Sequence, residues 1–308
     1  MTLFRRLAIT STGAAFLLVT IGGLVRATKS GLGCGTNWPH CPGAVNRALI
    51  IEFSHRAVAG IVVLLLGALA VVAWRNLRHV RAVAWPAVAA FGLVLFQAVL
   101  GAIVVWLELE AESVVMHLGT AMLLLGLLVY LSTAALVLEG RLEVQSDPKT
   151  RNGSRGAAAM VLLLLLVGSY VTGIGAGDVF PDWPLMNGRA IPDLGVHEHA
   201  AHFVHRVLAA VTGVIVAVVA LRVIRDKDRL RHQARFAHAA LGLFAVEVLI
   251  GAANVWTDLA AGWVTAHLAI GAAIWASLVG VSVLSDPALQ ELRSAQPVRR
   301  ARPVLEGS

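Results

Sequence analysis

Apolar residues fall in long blocks with few or no charges, divided by short polar stretches. Each block approaches the ~20 residues an α-helix needs to cross a bilayer. The pattern predicts spans at 10–26, 53–74, 84–106, 113–137, 157–175, 201–223, 236–256 and 263–284. The segment 139–156 (EGRLEVQSDPKTRNGSRG) is polar and charged, and it reads as a flexible cytoplasmic linker between two halves. That gives a first half over 1–138, a second over 157–285, and a polar, basic tail over 286–308 expected to be disordered.

Composition agrees with a membrane protein. Of 308 residues, 58% are hydrophobic and 14% charged, with a mean hydropathy of +0.78, too apolar for a soluble domain of this size. A net charge of +7 would suggest nucleic acid in a soluble protein. Here the basic residues lie in short loops between spans, where they set orientation, so no nucleic-acid partner is expected. The N-terminal Arg5, Arg6 and apolar run resemble a signal peptide, but no small-residue cleavage site precedes a soluble domain, so the run reads as the first span. With both termini cytoplasmic, 19 of the 25 Lys and Arg residues fall inside. This predicts an N-in, C-in protein of a bacterial cell membrane, in contact with its lipid.

The halves repeat. Shifted by 150 positions, His55-Arg56 falls on His205-Arg206, Gln97 on Glu247, Gly101 on Gly251, Trp106 on Trp256 and His117 on His267. Shared apolar composition does not pair His, Trp and Gly in one ungapped register. Since four spans restore the starting side, both halves run the same way. The expected fold is all-α: eight transmembrane helices as two tandem four-helix bundles related by a pseudo-twofold axis along the membrane normal.

Spans 2, 4, 6 and 8 begin at the outer face, and His55, His117, His205 and His267 each lie a few residues inside those starts. At ~1.5 Å per residue they share one depth. Ionisable groups inside a membrane are costly and face the bundle interior or an aqueous cavity. Neutral imidazole is an axial ligand for haem iron, and two from alternate helices can clamp a macrocycle between them. The pairs are His55 with His117 and His205 with His267. Zinc would want three or four converging ligands, and each half offers two. Arg56 and Arg206 either bind haem propionates or anchor the helix start at the interface.

The differences between halves locate the chemistry. Glu52 lies three residues before His55, on the same helix face, and its counterpart is His202, whose role stays open. Glu52 is either a proton acceptor beside a haem or a solvated acid favoured by the helix dipole. Cys34 and Cys41 lie in the first outer loop, GLGCGTNWPHCPG. The second, DVFPDWPLMNG, keeps the Trp-Pro pair without cysteines. On the oxidising side this spacing predicts a disulfide, with structural and redox roles both open.

These residues resemble the haem A synthase family, membrane enzymes that convert haem O to haem A for terminal oxidases. The resemblance covers roughly residues 10–285 and rests on EFSHR at Glu52–Arg56, HLGTA at His117–Ala121, FVHR at Phe203–Arg206 and AHLAIG at Ala266–Gly271. The cysteine pair and the Trp-Pro loops also match. It implies haem b on His205 and His267, a substrate haem O site at His55 and His117, and a part for Glu52 in the reaction. It also implies oxidation of a haem O methyl group to a formyl group, and an electron acceptor that the residues do not identify. Haem O synthase and cytochrome oxidase assembly factors are the implied partners. Family members exist without the cysteines, so the pair is not indispensable to the chemistry. The competing readings are a quinol-linked dihaem b cytochrome and a haem or small-molecule transporter.

Overall fold

The computed structural model describes residues 1–294, and among them eight helices are long and apolar enough to span a membrane. They are α1 (Thr2–Ala27), α2 (Arg47–Leu77), α3 (Arg81–Trp106), α4 (Ala111–Leu138), α5 (Pro148–Gly173), α6 (His197–Arg225), α7 (Arg231–Trp256) and α8 (Ala261–Leu284). A short α9 (Pro287–Ser294) follows. The protein is thus an all-helical, multi-pass membrane protein. No strand is formed among the described residues, consistent with the need to satisfy every backbone polar group within a span.

Several helices start well before their apolar blocks because polar residues cap them. The Asn46 side chain accepts from the Leu49 N–H at 2.9 Å and starts α2 at Arg47. Asp147 accepts from the N–H groups of Lys149 and Thr150 at 3.0 and 3.2 Å, with Pro148 in the first turn, so α5 starts there. The second part of the polar segment 139–156 is therefore helix. Its first part is tied down: Gln145 N–H donates to Leu284 O at 3.3 Å, and Gln233 Nε2 donates to Gln145 O at 3.0 Å. Arg229 pairs with Asp147 at 2.6 Å. The tail expected to be disordered opens with α9, and its residues 295–308 lie outside the described residues.

Each half packs as a closed ring, α1–α2–α3–α4 back to α1 and α5–α6–α7–α8 back to α5. Between halves, α1 packs on α8, α5 on α4, and α4 on α8. Exchanging the halves maps this pattern onto itself. More than half of the apolar stretch of α4 (61%) and α8 (56%) is buried, against 22–33% in the other spans, so these two form the centre. They approach closely at Gly126, where a Cβ would stand 2.3 Å from Trp275 Cη2. The large exposed side chains elsewhere, such as Leu64, Val99 and Leu249, face the lipid.

The loops after α1 and α5 repeat in detail. Each carries a cis Trp-Pro bond, Trp38-Pro39 and Trp183-Pro184. Trp38 meets Trp106 edge-on at 6.4 Å, and Trp183 meets Trp256 edge-on at 6.0 Å.

Candidate functional site: paired histidines beneath two repeated loops

α2 and α4 carry His55 and His117, and α6 and α8 carry His205 and His267. The rings of His205 and His267 stand 6.4 Å apart, centre to centre, at 74°. His117 lies close enough to His55 to interact with it electrostatically. The structure thus brings together the pairs expected from the sequence.

Each ring is seated against a glycine of the preceding helix. A Cβ on Gly22 (α1) would lie 3.2 Å from His55 Cε1, on Gly101 (α3) 3.3 Å from His117 Cε1, on Gly168 (α5) 3.0 Å from His205 Cε1 and on Gly251 (α7) 3.4 Å from His267 Cε1. Backbone therefore serves as the wall of each imidazole site. The register 150 anticipates Gly101 and Gly251, but Gly22 and Gly168 pair at a different offset, because the loops between helices differ in length.

Next to the second histidine of each pair lies a polar residue from the neighbouring helix. Gln97 Nε2 lies 3.2 Å from His117 Nδ1 and donates to His117 O at 2.7 Å, while Thr120 Oγ1 donates to Gln97 Oε1 at 2.5 Å. In the second half Glu247 Oε1 lies 3.2 Å from His267 Nδ1, near enough for an ion pair but too oblique for a well-formed hydrogen bond. Sequence reasoning used Gln97 and Glu247 only as landmarks. An ionisable residue in the middle of a span, Glu247, was the signal that could have found them.

Glu52 is only 3% exposed, so it is not a solvated helix-start acid. Its Oε2 accepts the Cys34 N–H at 2.7 Å and its Oε1 pairs with Arg56. Arg56 in turn donates to Asn37 O at 2.8 Å and His40 O at 3.0 Å. Cys34 and Cys41 form the expected disulfide in this loop. Carboxylate, guanidinium and disulfide loop are thus one connected unit.

The second half builds the same unit around an arginine, with an imidazole in place of the carboxylate. His202 Nδ1 donates to Ala176 O at 2.8 Å, and its Nε2 accepts from Arg206 Nε at 3.1 Å, which fixes its tautomer and explains its role. Arg206 donates to Leu185 O at 2.8 Å, as Arg56 does on the first loop. The register that pairs Gly22 with Gly168 pairs Cys34 with Phe180. Phe180 is buried against His202, 5.3 Å between ring centres, with the Arg206 guanidinium 5.6 Å from its centre. An aromatic contact replaces the disulfide.

Can these residues hold a haem? Nδ1 of His55 and of His205 are buried without a hydrogen-bond partner among the described residues, so none of these fixes the rings in a competing role. With metal–nitrogen bonds of about 2 Å and each ring centre about 1 Å behind its nitrogen, two imidazoles on one iron have centres about 6 Å apart. The 6.4 Å between His205 and His267 fits. Among the described residues no three or more His, Cys, Asp or Glu converge, which leaves zinc without its ligand set.

Fold and site together define a polytopic helical membrane protein with a pair of histidines in each of two four-helix rings. The chain matches the model of the cytochrome oxidase assembly protein family over residues 5–48 and 46–279. It belongs to that family. It is 31% identical to the heme A synthase of Geobacillus kaustophilus over 94% of this chain and 93% of the relative. It is 32% identical to that of Halalkalibacterium halodurans over 72% of this chain and 76% of the relative. The heme A synthase of Alkalihalophilus pseudofirmus is 35% identical over 66% and 70%.

Proposed function

We propose that this chain is a haem A synthase, oxidising one methyl group of haem O to a formyl group. The observation that carries the reading is an asymmetry within a repeated framework. A buried carboxylate paired with Arg56 stands above one histidine pair, and a neutral imidazole stands at the equivalent place above the other.

In this reading His55 and His117 ligate or position the iron of haem O, the substrate. Taking the methyl to a formyl with water as the oxygen source releases four protons and four electrons; Glu52 accepts protons, and the electrons pass to the electron acceptor. Its burial and its bonds to Cys34 N–H and Arg56 hold the acceptor in one place. His205 and His267 hold a resident haem b, which when bound supplies one-electron redox chemistry. Arg56 and Arg206 are assigned to the haem propionates: Arg56 keeps its Nε–H outside its bonds to the loop and to Glu52, whereas Arg206 already makes five bonds to His202 and the loop and would exchange some of them. The histidine pairs lie toward the outer face of a bacterial cell membrane, with both termini cytoplasmic and the halves related by an axis along the membrane normal. Haem O synthase and oxidase assembly factors are the partners on either side of the reaction, with an electron acceptor still to be identified.

Haem extraction and chromatography on the purified protein test this. One permanent b haem with variable haem O or haem A supports the synthase. Two permanent b haems identify an electron-transfer cytochrome, and none identifies a transporter. Cells that accumulate haem O should gain haem A when this protein is expressed.

A further inference from the structure

Gln97 and Glu247 occupy equivalent places beside the second histidine of each pair, yet they present opposite chemistry to it. The amide orientation of Gln97 is fixed from two sides. Its nitrogen faces the His117 carbonyl at 2.7 Å, and its oxygen takes the Thr120 hydroxyl at 2.5 Å. The second amide N–H is left to point at His117 Nδ1, 3.2 Å away. Nδ1 must then accept, and the ring proton sits on Nε2, the nitrogen that would otherwise bind iron.

In the second half the surroundings differ at each of these points. The hydroxyl of Thr120 is replaced by Ile270, and Ala121 by Gly271. The missing methyl makes room for the carboxylate, since a Cβ on Gly271 would stand 3.2 Å from Glu247 Oε1. Glu247 Oε2 is buried without a hydrogen-bond partner, and Oε1 lies 3.2 Å from His267 Nδ1. A carboxylate offers that ring nitrogen no proton, and its charge 3.2 Å away favours the tautomer with the proton on Nδ1, which leaves the Nε2 lone pair free.

We propose that this Gln97/Glu247 pair decides which haem stays and which exchanges, Glu247 positioning His267 as a permanent iron ligand and Gln97 holding His117 in the tautomer that binds iron weakly. The proposal rests on the assignment of haem b to His205 and His267. A carboxylate behind a metal-bound imidazole fixes its orientation and raises its basicity, and losing such a partner costs 10–100-fold in metal affinity. A substrate that must enter and leave needs the opposite arrangement.

The test uses the full-length protein in detergent, with transfer of haem to apomyoglobin, the midpoint potential of haem b and its electron paramagnetic resonance spectrum as readouts. Glu247→Gln, nearly the same shape, should lose haem b at least tenfold faster and show a raised midpoint potential, because a neutral partner stabilises ferric iron less. Gln97→Glu should copurify with a stoichiometric second low-spin haem where the unaltered protein holds a variable, smaller amount. If Glu247→Gln keeps haem b as tightly, at an unchanged potential, while His267→Ala loses it, the role of Glu247 is wrong and the haem b assignment stands. If His267→Ala keeps haem b, the assignment itself fails. If Glu247→Gln does not accumulate, Gln97→Glu decides: a first half that retains no additional haem overturns the proposal.

Discussion

The glycines behind the four histidines allow a graded test of the haem sites. Replacing Gly168 with Ala puts a Cβ 3.0 Å from His205 Cε1, well inside ordinary contact. The opposing atom is a ring carbon of a rotamer-limited side chain, so the imidazole must shift by a few tenths of an ångström. Overpacking of this kind costs about 1–3 kcal/mol, and a loss of that size in ligand alignment is roughly five- to 150-fold in haem b affinity. The same change at Gly251 places the Cβ at 3.4 Å from His267 Cε1, an ordinary contact, and should leave haem b in place. Helix propensity works the other way, since Gly→Ala in a helix stabilises by roughly 1 kcal/mol. A loss of haem from Gly168→Ala therefore reports the ring and not the helix. Purified variants would be compared by reduced-minus-oxidised absorbance per protein and by haem transfer to apomyoglobin. Retention of haem b in Gly168→Ala equal to that in Gly251→Ala would refute the reasoning, and so would loss from Gly251→Ala alone.

Glu52→Gln should leave haem b in place and lower haem A output tenfold or more, equivalent to about 1.4 kcal/mol of barrier; haem A at the unaltered rate would remove Glu52 from the chemistry. Thiol labelling of the denatured, unreduced protein should find Cys34 and Cys41 blocked, and labelling only after reduction checks the bond. At Asp147, partial burial pushes the carboxyl upward, but the bond from Arg229 and those from Thr150 and Lys149 hold it below the usual carboxylate range. Its contribution to stability is thus present above about pH 4 and lost as pH falls through the lowered value. Asp147→Asn should flatten the acid limb of thermal stability in detergent, and an unchanged limb would count against the pair. Reporter fusions should place Asn37 and Gly188 outside and the α2–α3 and α6–α7 turns inside, and cytoplasmic activity at either outer position would reject the orientation.

The sequence by itself determined the eight spans, the 150-residue repeat register and the four histidines. Outside closed β-barrels, lipid leaves a spanning segment no choice but a long apolar helix, so the spans are legible in composition alone. The histidines are legible because polar residues are rare in such segments, and a repeated rare residue stands out against leucine and valine. Helix ends were less legible: α2 and α5 reach back to Arg47 and Pro148 because Asn46 and Asp147 cap them, a local bond that hydropathy does not register. The partners of the site residues were decided only by tertiary structure. Glu52 is bound by the Cys34 N–H from 18 residues earlier, and Phe180 takes the place of a disulfide against His202. The four glycine walls and the Gln97 and Glu247 neighbours all come from other helices than the histidines they touch. Periodicity along one helix says which face a residue is on, but not what a second helix brings to it. That depends on how the rings of helices close, and closure is a property of the packed whole.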